Sequence, residues 1–431
     1  MKLTPSRRQY GFGVILLVAL TICSRKLSSM GEPSFIIPLA VAGIAYLFAV
    51  REFFSTQRFP RCVIVIGLVL AALWHLPFLL APPGLDDDIH RYLWDGRVQR
   101  LGYNPYVVVP SDPALGQLHT PETRTLNNPD LPSPYPPGAQ LFFRSVTAIH
   151  ESTFALKVAF VVCDLAIVLV FLDILRRSRQ EAHWVLAYAW NPLLATEVAG
   201  SGHIDIVGVL LLLVSFAALE RRWRTVAALA FGLAVAVKFL PVVLLPLYWK
   251  RVRIRDAALA AAVVGLLYMP FLSHGRIPIG SLGTYVQSFR FNDPLFATLE
   301  RVASPRLVVG MAVLVGFLTA ICLRKLSKAP AWSPDSFAWP MAASLLCAPV
   351  VYPWYLLWLL PFLRSASTLP IIIWTVSIIP TYYVWHLRTL GRPWLVPGWI
   401  MLLEYGCVAM TAAIIPLGRI TRPAAPPCST D

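Results

Sequence analysis

Three consecutive carboxylates, Asp86, Asp87 and Asp88, open the most polar stretch of the chain, which continues as Ile89-His90-Arg91-Tyr92-Leu93-Trp94-Asp95-Gly96-Arg97. Like charges this close raise one another's proton affinity. A carboxylate tuned in that way can act as a general base near neutral pH. Two plainer readings stand beside it: a helix N-cap with solvated acids, and oxygen ligands for a divalent cation. Read as a helix from Asp87, the segment brings Asp88, Arg91, Tyr92 and Asp95 onto one face. Acids at its start suit the helix dipole. Tyr92 and Trp94 favour a membrane interface, so the helix is expected to lie on the membrane surface.

Other polar groups follow at a distance. Gly102-Tyr103-Asn104-Pro105-Tyr106 and Tyr135-Pro136-Pro137-Gly138 read as rigid turns. Glu197, His203 and Asp205 surround Gly200-Ser201-Gly202. Lys238 stands before Phe239-Leu240-Pro241, where its ammonium could meet a lipid phosphate or cap helix carbonyls. Asp164 falls in the middle of an apolar run and must face protein. Lys157 and Asp173 fall near run ends and are expected to snorkel.

The elements that position these groups are read from composition. Only 14% of the 431 residues are charged and 57% are hydrophobic. Soluble domains carry about 25% charged residues, so lipid is the main solvent here. Apolar runs at 33–50, 62–81, 153–175, 204–219, 256–273, 305–323, 368–387 and 396–417 approach the roughly 20 residues that cross a bilayer. They do not alternate apolar with polar, so they read as helices and not as strands of a barrel. A shorter run, 11–23, follows Lys2, Arg7 and Arg8. No small-x-small cleavage pattern follows it, and it reads as a retained first span.

Positive residues orient the spans. The net charge of +15 flanks them and does not point to nucleic acid. Basic clusters at Arg51/Arg58/Arg61, Arg176/Arg177/Arg179, Arg221/Arg222/Arg224, Lys250/Arg251/Arg253/Arg255 and Arg324/Lys325/Lys328 all fall on the cytoplasmic side if 225–249 and 337–363 each cross twice as broken segments. Pro241 and Pro353 supply the breaks. The expected fold is an all-α polytopic membrane protein of about 12–14 membrane helices, multi-pass in the inner (plasma) membrane with both termini cytoplasmic. Residues 1–61 form a leading hairpin, 62–250 a catalytic module containing the outer loop 82–152, and 251–431 a C-terminal module. A second outer loop, 274–304, carries Arg276, Arg290 and Arg301 against the positive-inside trend. Phosphate is a common reason for such bases. Seven scattered cysteines, with no Cys-x-x-Cys, give neither a disulfide framework nor a zinc site.

Taken in order, these motifs resemble the signature of bacterial GT-C glycosyltransferases, and most closely the polyprenyl-phosphate-mannose-dependent mannosyltransferases. The matching residues are Asp87-Asp88-Ile89-His90-Arg91-Tyr92-Leu93-Trp94-Asp95-Gly96-Arg97, then Gly102-x-Asn104-Pro105-Tyr106, then Tyr135-Pro136-Pro137. Asn191-Pro192, Glu197, Gly202-His203-x-Asp205, Lys238-Phe239-Leu240-Pro241 and Pro353-Trp354-Tyr355 continue the likeness. Two departures stand out: His90 replaces a tyrosine, and Asp86 adds an acid before the pair.

The resemblance implies inverting transfer of a hexose, mannose above others, from a polyprenyl-phosphate donor to a glycan, lipid or protein acceptor at the outer, periplasmic face. Asp88 is favoured over Asp87 as base. Lys238, Arg91 and Arg290 are expected at the donor phosphate and lipid. Tyr92, Trp94, Asp95, Asn104, Tyr106, Tyr135, Glu197, His203, Asp205, Trp354 and Tyr355 are expected to bind substrate. No cofactor is required, and no metal site is assigned, although the acids would admit a divalent ion. The rival class is a polyprenyl-lipid or solute transporter or flippase, which broken helices and intramembrane charges would also suit. A large, one-sided polar loop and no inverted repeat argue against it.

Overall fold

The structure is a computed structural model that describes residues 4–56, 58–273, 278–326 and 333–414. Arg276, Lys328 and Cys428 lie outside the described residues.

The chain is an all-α polytopic membrane protein. Among the described residues, six helical stretches are long and apolar enough to cross a membrane: Pro33–Ser55, Arg61–Leu80, Thr153–Arg177, Ile254–Phe271, Pro305–Lys325 and Ala366–Thr389. Two shorter apolar helices, Arg224–Val237 and Gly398–Ile414, accompany them. Side chains such as Val65, Val162, Leu169 and Leu318 are exposed on the long helices. Only lipid accepts so much outward apolar surface without cost.

The first two helices, α1 (Pro5–Ser24) and α2 (Pro33–Ser55), pack as a hairpin against each other. Each has proline in its first turn, where the missing N–H has no intrahelical partner to lose. Next, α3 (Arg61–Leu80) packs on α1 and delivers the chain to the acidic stretch. Between α3 and α6 (Thr153–Arg177), the outer loop builds its own layer from α4 (Asp88–Arg100) and α5 (Pro137–Ile149), which pack together.

The aromatic side chains of α4 expected at a membrane interface are covered by protein instead. Tyr92 is 1% exposed and Trp94 is fully buried. Tyr92 stacks on Phe143 of α5 at 4.5 Å, and Trp94 stacks on His119 at 4.1 Å. The loop is long enough to fold a cover over α4, so protein takes the place that the interface would have filled.

Lys157 likewise does not snorkel. It is 1% exposed, and its ammonium donates to the carbonyls of Phe78 and Ala81 at 2.7 and 2.8 Å. Those are last-turn carbonyls of α3 with no helical partner, so the cation caps the helix that precedes the acids. Asp173 stays near the surface, paired with Arg177 and Arg221. Asp164 faces protein, accepting from Tyr188 at 2.5 Å with His75 at 3.5 Å.

After α7 (Trp184–Ala189), Asn191-Pro192 leads into a π-helical turn, Leu194–Ser201, which ends at Gly202 with φ +79°. Only glycine takes that backbone freely, and a Cβ there would meet Ile89 at 2.6 Å. The wide turn and its abrupt stop aim Glu197 and His203 toward the acidic loop. The following α8 (Asp205–Glu220) packs on α9 (Arg224–Val237).

Both breaks expected in the later spans are present. Lys238 is extended after α9, and a 3-10 turn at Leu240–Leu244 follows. The helix Asp335–Leu346 gives way to a 3-10 turn at Pro353–Trp358. The two breaks line one cavity.

Candidate active site

The acids reach the cavity because α4 begins at Asp88 with Asp87 as its cap residue. Asp86 accepts the Asp88 N–H at 3.3 Å, a local turn that keeps the three carboxylates together. The carboxamide of Asn127, from the far limb of the loop, donates to Asp88 at 2.5 Å and to Asp87 at 3.0 Å. Arg388 pairs with Asp87 at 3.3 Å. Burial, reinforced by the Asp86 charge, pushes the Asp87 carboxyl up to about 7. The same two causes, in the same order, raise Asp88.

The cavity beneath them holds about 750 Å³, within the range of sites for small organic ligands. Of the residues expected at the site, Asp87, Asp88, Arg91, Tyr135, Lys238, Arg290, Trp354 and Tyr355 line it. Asn127, Tyr285, Trp385, Arg388 and Trp394 line it as well and were not anticipated. None of the five belongs to a local motif. They come from distant segments, and in sequence Arg388 is indistinguishable from a base flanking a span.

The basic groups differ in how far they are committed. Arg91 is 2% exposed and donates to Asp95 at 3.0 Å and to the Leu131 carbonyl at 2.9 Å. Arg290 is held by Glu300 at 2.6 Å and lies over the Phe296 ring. Lys238 binds both oxygens of Asp205, at 2.7 and 2.9 Å, and sits 3.9 Å from the Tyr355 ring centre. The side chain of Arg388 is half exposed, 53%, and makes its single carboxylate contact with Asp87.

Other expected site residues stand behind the lining. Trp94, Asp95, Asn104 and Tyr106 build the loop. Asp95 is fully buried and accepts from Arg91, Ser133 and Gln140. Asn104 donates to the Phe271 carbonyl at 2.7 Å, tying the loop to a span. Tyr106 donates to the Tyr135 carbonyl at 2.6 Å. Tyr92 packs under Tyr135.

Glu197, His203 and Asp205 are fully buried below the acids. His203 Nε2 lies 3.0 Å from Glu197 and 3.3 Å from Asp86, and its Nδ1 lies 3.9 Å from Asp88. The His203 ring stacks on Trp354 at 3.9 Å. Asp205 also accepts from Trp358 Nε1 at 2.7 Å. Gly208, one turn along α8, makes room for that indole: a Cβ there would stand 2.2 Å from it.

The arrangement is suited to proton abstraction from a hydroxyl at Asp88. Cations and aromatic faces surround the space where the partner of that reaction would lie.

The family model described as alpha-(1->6)-mannopyranosyltransferase, N-terminal domain, matches residues 17–252. An alpha-(1->6)-mannopyranosyltransferase of Mycobacterium tuberculosis is 32% identical over 160 residues, which cover 34% of this chain and 26% of that relative. No solved structure matches the chain.

Proposed function

The chain belongs to the alpha-(1->6)-mannopyranosyltransferase family, and from that premise we propose that it is an inverting mannosyltransferase using a polyprenyl-phosphate-mannose donor at the outer face of the membrane. The observation that carries this reading is the placement of Asp88. It lines a cavity whose other walls bear Lys238, Arg290, Arg388 and a set of aromatic rings. A lipid-linked donor enters from the bilayer, and its phosphate meets the cationic wall. A sugar lies against Tyr135, Trp354 and Tyr355, whose faces suit the apolar side of a pyranose.

The acceptor hydroxyl, on a glycan, lipid or protein, gives its proton to Asp88. Its oxygen forms the new bond to the anomeric carbon from the side opposite the phosphate. The carbon–phosphate-oxygen bond breaks, its electron pair goes to the phosphate oxygen, and polyprenyl phosphate leaves. Lys238, Arg290 and Arg388 offset the charge that grows there. Arg91, turned inward to Asp95 and loop carbonyls, supports the loop in this scheme. The Asn127 amide holds the base in line.

The test is transfer of label from polyprenyl-phosphate-mannose to a host lipid extract. Wild type should produce a new labelled lipid or glycan. Absence of transfer with this donor and with other lipid-linked sugars would favour a transporter or flippase.

A further inference from the structure

Two buried carboxylates, Asp86 and Glu197, share one imidazole beneath the cavity, and the half-buried Asp88 stands 3.9 Å from its other nitrogen. Asp87 has Arg388 and Asp205 has Lys238, but among the described residues Asp86 and Glu197 have no cation within ion-pair distance except His203. Lys157, the nearest lysine on α6, turns its ammonium to carbonyls of α3. Even with His203 protonated, ionised Asp86 and Glu197 leave one negative charge uncompensated, and burying an unpaired ion costs several kcal/mol.

The polar atoms are also unsatisfied. Both Glu197 oxygens, Asp86 Oδ2 and both His203 nitrogens lack a well-directed hydrogen bond, although Glu197 and His203 are fully buried and Asp86 is 4% exposed. Native buried groups of this kind are nearly always satisfied. Their ligand-type atoms nevertheless converge, all within 4.8 Å of one another. A cation bound at about 2.0–2.2 Å from a nitrogen and two oxygens holds those atoms roughly 3–3.5 Å apart. The observed separations from His203 Nε2 are 3.0 and 3.3 Å.

We propose that Asp86, Glu197 and His203 form a binding site for one divalent transition-metal ion, zinc or manganese. One imidazole with two carboxylates suits these ions better than calcium or magnesium, which prefer all-oxygen shells. The ion supplies the missing positive charge and takes the orphaned lone pairs. It also fixes the tautomer of His203: with Nε2 on the metal, Nδ1 carries the proton and points toward Asp88. Metal-bound histidines commonly send their second N–H to a carboxylate in this way. The ion therefore positions the acidic loop without itself touching the acceptor or the donor.

The test reads metal and not turnover, so it stands or falls apart from the mannosyl-transfer reading. Full-length protein, purified without a metal-affinity tag, is stripped with EDTA, reloaded with Zn²⁺ or Mn²⁺, and assayed by plasma mass spectrometry and thermal melting. Wild type should rebind about one ion per chain and regain several degrees of melting temperature. Glu197→Gln and His203→Asn should lose the ion, while Asp112→Asn, on an exposed turn of the loop, should keep it. Stripped wild type that stays monodisperse and takes up neither ion would overturn the proposal and leave an ion-paired cluster with a protonated carboxyl. Equal loading of the Glu197 and His203 variants would overturn it too. If those variants do not fold, the strip-and-reload result on wild type alone decides.

Discussion

Lys238 and Asp205 form a two-pronged ion pair, with the ammonium 2.7 and 2.9 Å from the two carboxylate oxygens. Asp205 is fully buried, whereas the lysine side chain is 22% exposed to the cavity. The pair joins the break after α9 to the start of α8, and so fixes one wall of the site. Removing one partner of such a pair leaves a buried charge and costs about 3–5 kcal/mol. Lys238→Ala should therefore lower the melting temperature markedly, and adding Asp205→Asn should restore much of the loss. A Lys238→Ala protein as stable as wild type would show that the pair does not hold the wall.

Asn127 offers a test of base positioning. Its amide donates to both Asp87 and Asp88, yet it contributes no charge of its own. Asn127→Ala should lower turnover by roughly tenfold to a hundredfold, a fraction of what a general base supplies, with little change in melting temperature. Unchanged turnover would mean that the carboxylates are aligned without it.

Gly208 tests the packing beneath the cavity. A methyl group would press on Trp358, whose indole donates to Asp205. Gly208→Ala should cost about 1–3 kcal/mol, as overpacked cores do, and should weaken transfer as Asp205 shifts. Thermal melts with and without the substitution decide it.

Asp293 tests a pH dependence away from the membrane spans. Burial is the main cause that pushes its carboxyl up to about 6 from an ordinary value of 3.8. A carboxyl whose folded value is raised stabilises the fold below the unfolded value, and that contribution is lost as pH rises through the folded value. Asp293→Asn has no such dependence. The melting temperature of wild type should therefore fall relative to the variant between about pH 4 and pH 6. A constant difference across that window would remove the assignment.

The residues legible in the sequence are those whose type is costly in lipid. Glu197, His203, Asp205 and Lys238 stand out because charges in apolar runs need a reason, Asp88 stands out as one of three adjacent acids, and the structure does gather them at one end of the bundle. Pro241 and Pro353 likewise announce the two breaks, since proline cannot continue a helix ladder. What escaped was whatever depends on chain crossings. Arg388 and Asn127 carry no local pattern, and only the fold brings them to Asp87. Trp94, Asp95, Asn104 and Tyr106 show the opposite limit. Their types suit sugar binding, yet they are consumed in closing the outer loop around α4. Lys157 sits where a snorkelling lysine would, and only the end of α3 beside it reveals a cap.

The most direct test of the account is transfer of radiolabelled mannose from polyprenyl-phosphate-mannose to a host lipid extract, with wild type and Asp88→Asn compared at equal folded amounts. Wild type should give a new labelled product, and Asp88→Asn should lose about a hundredfold or more of that transfer. Full transfer by the Asp88→Asn protein would contradict the account.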